Sequence, residues 1–264
     1  MLHLFFFFLV RTMSKFNDSI KNVPVIEFFV VIISFYLLWF FIKTYFCSVS
    51  GNVVYVAIIL YFAFKLRNHL TELKTDFLNI FSKVSFQYIL LIIVLNIFFS
   101  YGMLYFANFL NTVPIVNQIM NFSFSSMSLF GGLGSLLAIV LISPVSEELI
   151  FRGIFLNKLR LIVPTIFAVL ISSLLFGALH SFGSIFSAFI FSMSISVIYL
   201  KTDNILVPIF AHFLNNVIAE SIVHIDLGNI LFTNDVVVCA MSVLAIISLV
   251  ILSVLIYLEL INYK

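Results

Sequence analysis

Charged residues are scarce in this chain of 264 residues. Lys, Arg, Asp and Glu together make up 9% of it, whereas a soluble domain carries about 25%. This deficit excludes a soluble globular enzyme, a disordered chain and a nucleic-acid-binding protein. The two cysteines, Cys47 and Cys239, are too few for a disulfide framework or a thiolate metal site. No stretch rich in Gly, Ser or Pro divides the sequence, so we expect one domain over residues 1–264.

Apolar residues take the place of the missing charge. They make up 63% of the chain, with 34 Phe, and the mean hydropathy is +1.25. A membrane-spanning helix needs about 20 mostly apolar residues, and no segment alternates as a barrel strand would. We therefore predict an all-α, polytopic transmembrane helical bundle in contact with the lipid bilayer. Its spans, about eight by this length criterion, are expected near residues 24–42, 49–64, 84–107, 129–157, 164–181, 184–200, 206–223 and 236–260.

The placement of Lys and Arg predicts the orientation of the bundle. Basic residues precede the first span, lie between the second and third, and follow the fourth and sixth. The loops expected on the opposite side are 43–48, 108–128 and 224–235. Their only Lys or Arg residue is Lys43. Because cytoplasmic loops are enriched in Lys and Arg, both termini are predicted to be cytoplasmic. Residues 1–13 are expected to form an interfacial segment, with translation starting at Met1 or Met13. Abundant Phe, Ile and Asn with few Ala are typical of an AT-rich bacterial genome, so we expect the membrane to be a bacterial cell membrane.

Three spans contain polar groups that are costly in lipid. A charge at the bilayer centre costs about 2.5–3.5 kcal/mol on insertion scales, so such groups normally face a protein interior or a cavity. Glu148 and Arg152 are four residues apart and can form a structural ion pair on one helix face. His212 and Asn216 have the same spacing. The other polar residues of interest in these three spans are Glu147, which lies on a different helix face from Glu148, and His180.

A glutamate, two histidines and an asparagine suit the activation of water. A desolvated carboxylate can act as a general base, and His and Asn side chains can donate hydrogen bonds to an oxyanion. The same residue types also suit zinc, for which Glu147, His180 and His212 would be the ligands. No H-E-x-x-H motif is present to favour the metal. Both forms of hydrolysis stay open, as does a purely structural role for each residue alone.

Three motifs in order resemble the CAAX protease and bacteriocin-processing family (CPBP, also called Abi), which includes the Ras-converting CAAX prenyl endopeptidases. EELIFR, residues 147–152, is similar to E-E-x-x-x-R. FGALH, residues 176–180, is similar to F-x-x-x-H, and HFLNN, residues 212–216, to H-x-x-x-N. The resemblance covers about residues 129–223, which we expect to be the catalytic core.

The resemblance implies an intramembrane endopeptidase that needs no cofactor, or one that uses zinc. It implies that Glu147 activates water with the help of His180, and that His212 and Asn216 bind the oxyanion. Supporting roles fall to Glu148, Arg152 and Phe176. The expected partners are a peptide or membrane-protein substrate and the bilayer, and no nucleic acid. Bacteriocin or pheromone precursors and CAAX-like tails are the substrate classes implied. The alternative is a non-catalytic bacteriocin-immunity protein on the same scaffold.

Overall fold

The computed structural model describes residues 15–46, 50–81, 83–111, 133–180, 184–225 and 230–263, and within these ranges the regular elements are all helices. The all-α prediction is confirmed. The helices are α1 (Lys15–Lys21), α2 (Val25–Tyr45), α3 (Asn52–Lys65), α4 (Leu73–Ile80), α5 (Lys83–Asn111), α6 (from Leu133 to Leu159), α7 (Thr165–Ala178), α8 (Ile185–Thr202), α9 (Leu206–Ile225) and α10 (Asp235–Asn262). A single turn, Ile230–Thr233, precedes α10.

Each predicted span corresponds to an apolar helix, but these helices differ in length. Five are long and apolar enough to cross a membrane: α2, α5, α6, α8 and α10. The chain is therefore a multi-pass membrane protein. The helix α3 passes the same test only together with the helical segment Arg67–Ile80, from which it is bent by 84°. The helix α7 and the apolar stretch Leu206–Ile222 of α9 are shorter than this test requires, and α7 extends only about 21 Å at 1.5 Å per residue. The count of eight spans and the orientation of the termini stay predictions.

The helix α6 changes its winding twice. Residues Ala138–Ile142 and Leu149–Leu156 are π-helical, and the α-helical segment Ser143–Glu148 lies between them. Extra residues in a turn free backbone carbonyls, and π-segments occur frequently at functional sites. Asn157 binds two carbonyls of the second π-segment, those of Arg152 and Gly153, at 2.8 and 3.0 Å.

The helix α8 forms the centre of the bundle. Most of its residues are buried, and it packs against α5, α7, α9 and α10. The most extensive helix pair is α5 with α10, where Gly102 faces Ala245 so closely that a Cβ atom on the glycine would clash. Small residues of this kind allow membrane helices to approach.

The short helix α1 is joined to the core by polar and apolar contacts. Asn17 donates to Asp203 at 2.8 Å, and Lys21 pairs with the same carboxylate at 2.7 Å. Ile20 is fully buried, and its Cγ2 lies against Gly153 of α6, where a glycine Cβ would come within 2.7 Å. The position at Gly153 therefore has no room for a larger side chain unless α1 moves.

Candidate active site

Two adjacent glutamates leave α6 in different directions. The side chain of Glu147 is 15% exposed, whereas those of Glu148 and Arg152 are 0% exposed. Consecutive residues on a helix project about 100° apart, so only one of the two carboxylates can point into the bundle. Glu147 is the one that solvent or a substrate can reach.

Arg152 and Glu148 form the ion pair that their spacing predicts. Arg152 Nη1 lies 3.0 Å from each Glu148 oxygen. Arg152 Nη2 also donates to the backbone carbonyl and the hydroxyl of Ser192 on α8, both at 2.9 Å. The guanidinium carbon is 5.0 Å from the centre of the Phe176 ring. These contacts connect α6 to α7 and α8, and Phe176 thus supports the buried charge.

His212 of α9 contacts both glutamates. Its Nδ1 lies 2.8 Å from Glu148 Oε1, and a carboxylate can only accept, so Nδ1 carries the proton of this bond. The other ring nitrogen, Nε2, lies 4.0 Å from Glu147 Oε2. Ser143, one turn before Glu147, donates a hydrogen bond to Glu147 Oε1. The oxygen of Glu147 that faces the histidine is therefore the one that Ser143 does not bind.

Asn216 lies one turn beyond His212 and also contacts α6. Its Nδ2 donates to the carbonyl of Ile139 at 2.9 Å. His212 meets α6 at Glu148 and Asn216 meets it at Ile139, so α9 runs antiparallel along α6. The shared face predicted for His212 and Asn216 is confirmed by these two contacts.

His180 follows the end of α7. Its Nδ1 lies 2.9 Å from the carbonyl of Phe176, and its ring centre is 4.7 Å from that of Phe176. The Phe176 ring also contacts His212, with centres 6.0 Å apart. Within the described part of the chain no hydrogen bond or ion pair joins His180 to Glu147 or His212. The Phe176 ring therefore contacts both histidine rings.

Some contacts of the site were not foreseen from the sequence. The sequence predicted the ion pair of Glu148 with Arg152 but not the hydrogen bond between Glu148 and His212. Ser143 binds Glu147, four residues later, at a spacing that could have indicated the bond. Ser192 gave no signal, because a serine in a buried helix is common.

The zinc alternative requires three ligands around one point. Among the residues that the structure describes, no three His, Cys, Asp or Glu side chains are grouped so that they could hold a metal ion. Glu147, His180 and His212 do not fit a zinc site in this arrangement.

Comparison with known proteins identifies the segment that contains this cluster. Residues 129–218 match the family model described as Rce1-like, Type II CAAX prenyl endopeptidase Rce1-like. A search of curated proteins and a search of solved structures found no match. The match covers about a third of the chain and includes all three motifs, so the resemblance seen in the sequence is confirmed. The family consists of proteases, and the similarity suggests CAAX-type intramembrane protease activity. Residues 129–218 of this chain are therefore similar to the Rce1-like family of type II CAAX prenyl endopeptidases.

Proposed function

We propose that this protein is an intramembrane endopeptidase in which Glu147 activates water to hydrolyse a peptide bond of a membrane-associated peptide or protein. The proposal rests on one observation above all. Glu147 is the accessible carboxylate of the cluster, and one of its oxygens faces His212 across 4.0 Å. A water molecule bound there would contact a base and approach a hydrogen-bond donor at the same time.

The reaction follows from these positions. Glu147 Oε2 accepts a proton from water as the water oxygen attacks the carbonyl carbon of the substrate. The negative charge that develops on the carbonyl oxygen is bound by His212 Nε2 and Asn216 Nδ2. Donation by His212 Nε2 requires a proton on that nitrogen in addition to the one that Nδ1 shares with Glu148. The carbon–nitrogen bond then breaks, and the proton held by Glu147, relayed with the help of His180, passes to the leaving amine.

The other residues prepare the site. Ser143 holds one oxygen of Glu147, and Glu148 holds His212 by its Nδ1. Arg152 balances the charge of Glu148 in a region without exposed surface. A catalytic core over residues 129–223 would contain all these groups. We propose bacterial peptide precursors, such as bacteriocin or pheromone precursors, as substrates, with CAAX-like tails as the other class.

The test compares two isosteric glutamate variants. Quenched fluorescent peptides attached to an apolar anchor are presented to the purified protein in bilayers. Glu147→Gln keeps the volume and the Ser143 contact but removes the base, so cleavage should be abolished and thermal stability in detergent retained. Glu220→Gln on α9, an equally intramembrane glutamate outside the cluster, is the matched control and should cleave normally. Near-normal cleavage by Glu147→Gln would show that the assigned role is wrong.

Two other versions of the function predict different results. A non-catalytic immunity protein would cleave no peptide, and its protective effect in cells would survive Glu147→Gln. A zinc enzyme would purify with about one tightly bound zinc per chain, and its activity would be lost and restored together with the metal. The proposed mechanism instead predicts substoichiometric metal and activity that persists after prolonged dialysis against a chelator.

A further inference from the structure

Three asparagine side chains form a continuous chain of hydrogen bonds that ends at Asn216. Asn96 of α5 donates from Nδ2 to Asn215 Oδ1 at 3.1 Å. Asn215 donates from Nδ2 to Asn216 Oδ1 at 3.3 Å, and Asn216 donates to the carbonyl of Ile139 at 2.9 Å. This amide chain, Asn96–Asn215–Asn216, joins α5 through α9 to α6.

The carbonyl of Ile139 determines the direction of every bond in the amide chain. A backbone carbonyl can only accept, so Asn216 must present Nδ2 to it and Oδ1 to Asn215. Asn215 must then present Nδ2 to Asn216 and Oδ1 to Asn96. Because each amide has a donor end and an acceptor end, one fixed acceptor orients all three side chains.

The sequence explains why the Ile139 carbonyl lacks the backbone N–H partner that the π-pattern would give it. Residues Ala138–Ile142 are π-helical, and the N–H of Ser143 binds the carbonyl of Ala138, five residues earlier. In this pattern the carbonyl of Ile139 would be bound by residue 144. That residue is Pro144, which has no N–H. Pro144 thus leaves this carbonyl without an N–H partner in the π-pattern, and Asn216 binds it.

Asn96 is an unusual residue for its surroundings. It is only 3% exposed within an otherwise apolar helix, and its Oδ1 is buried without a hydrogen-bond partner among the described residues. A buried unsatisfied polar atom costs about 1–3 kcal/mol. A leucine would avoid that cost, so the benefit of Asn96 must lie in the hydrogen bond to Asn215.

We propose that Asn96 and Asn215 are positioning residues that orient the amide of Asn216 toward the oxyanion. The inference rests on the proposed function. An amide nitrogen has two hydrogens, and one of those on Asn216 Nδ2 is bound by Ile139. Rotation of the amide is blocked because Asn215 holds its oxygen, so the second hydrogen keeps one direction. Asn96 acts one step further away, by keeping the donor end of Asn215 turned to Asn216.

The test measures single-turnover rates and substrate affinity separately. Asn215→Ala, Asn215→Asp and Asn96→Leu should each lower the rate by about 10- to 100-fold, since a small misplacement of a catalytic group can cost about 10²-fold. Affinity for the anchored peptide should change little. Asn215→Asp is the sharpest variant, because it keeps the shape of the side chain but offers an acceptor where Asn216 needs a donor. Ser194→Ala, which removes a buried hydroxyl that donates to Ile190 of its own helix at 3.0 Å, is the control and should cleave normally.

The decisive experiment repeats Asn215→Ala in an Asn216→Ala background. Asn216→Ala alone should lower the rate by about 10²–10³-fold, as expected for one oxyanion donor. If Asn215 acts through Asn216, the double variant should be no slower than Asn216→Ala, whereas a purely structural effect would multiply. Multiplied effects, or an unchanged rate in Asn215→Asp, would overturn the amide-chain proposal. An active Glu147→Gln variant would instead overturn the proposed function, so the two failures are distinguishable.

Discussion

The neighbouring carboxylates of Glu147 and Glu148 differ in what their loss would leave behind. Removal of the Glu147 charge leaves the Ser143 hydroxyl beside a partly exposed side chain. Removal of the Glu148 charge leaves Arg152 and His212 with no anion between them at a fully buried position. We therefore expect the loss of Glu147 to affect catalysis, and the loss of Glu148 to affect the stability of the fold as well.

Glu148→Gln should destabilise the protein as well as inactivate it. Breaking a buried ion pair from one side costs about 3–5 kcal/mol, because the remaining charge is unpaired. Thermal unfolding in detergent measures the loss. Glu27→Gln is the control, since its pair with Lys65 is more than a third exposed and such exposed pairs contribute little to stability. Equal stability of the two variants would contradict the structural role of Glu148.

Ser143→Ala should weaken catalysis without affecting the fold. The hydroxyl holds Glu147 Oε1, so its removal frees the carboxylate to rotate while the base itself stays. A turnover loss smaller than that of Glu147→Gln, of about 10-fold, is expected for a group that only orients. Ser146→Ala provides the comparison, because that hydroxyl binds backbone carbonyls of its own helix at 3.0 and 3.1 Å. Identical turnover in the two variants would exclude the role assigned to Ser143.

Spacing within one helix was sufficient to predict some of these contacts. Pairs four residues apart, such as Glu148 with Arg152, follow from helix geometry alone. The bond from His212 to Glu148 joins residues 64 apart in the chain, and nothing in the local pattern specifies which of two adjacent glutamates a distant histidine will meet. Asn96 is a similar case, since a single amide in an apolar span gives no indication of its partner.

At the scale of the helix, the first motif depends on a departure from regular winding. The sequence predicted one continuous span over 129–157, and the described part of it is helical, but the two π-segments of α6 were not foreseen. Hydrophobic periodicity over a few residues cannot distinguish a π-helical turn, which contains one extra residue, from an α-helical turn. Pro144 was the available signal, because it removes a donor and marks a place where the backbone pattern has to change.

Pro144→Ala should therefore lower turnover even though it removes a helix-disfavouring residue. The new N–H at position 144 can bind the carbonyl of Ile139 in the π-pattern and displace the amide of Asn216. We expect unchanged or higher thermal stability together with a rate loss approaching that of Asn216→Ala. Pro164→Ala, at the N-terminal end of α7, serves as the control and should leave the rate unaltered. A Pro144→Ala enzyme with normal turnover would show that the Ile139 carbonyl does not govern the site.

For the whole molecule, composition predicted the fold class and the approximate position of every long helix. It could not predict that α7 is short, because the apolar character of its flanking residues continues beyond the helix ends. Nor did it show that the connection between α3 and α5 is helical and bent by 84°. The catalytic candidates come from α6, from α9 and from His180 just beyond the end of α7.

The distribution of basic residues predicts on which side of the membrane each loop of the bundle lies. Reporter fusions at Lys74 and Lys201 should read cytoplasmic, and fusions at Asn117 and Asn229 should read external. The physical reason is the one-sided distribution of Lys and Arg, which favours retention of basic loops in the cytoplasm. Asn117 and Asn229 lie outside the described residues, so the fusions test the two loops independently of the structure. A cytoplasmic signal at Asn117 would mean that an even number of spans precedes it, and α3 with its bent continuation would then be a re-entrant segment instead of a crossing. A cytoplasmic signal at Asn229 alone would instead remove α9 from the crossings, because Lys201 would still read cytoplasmic.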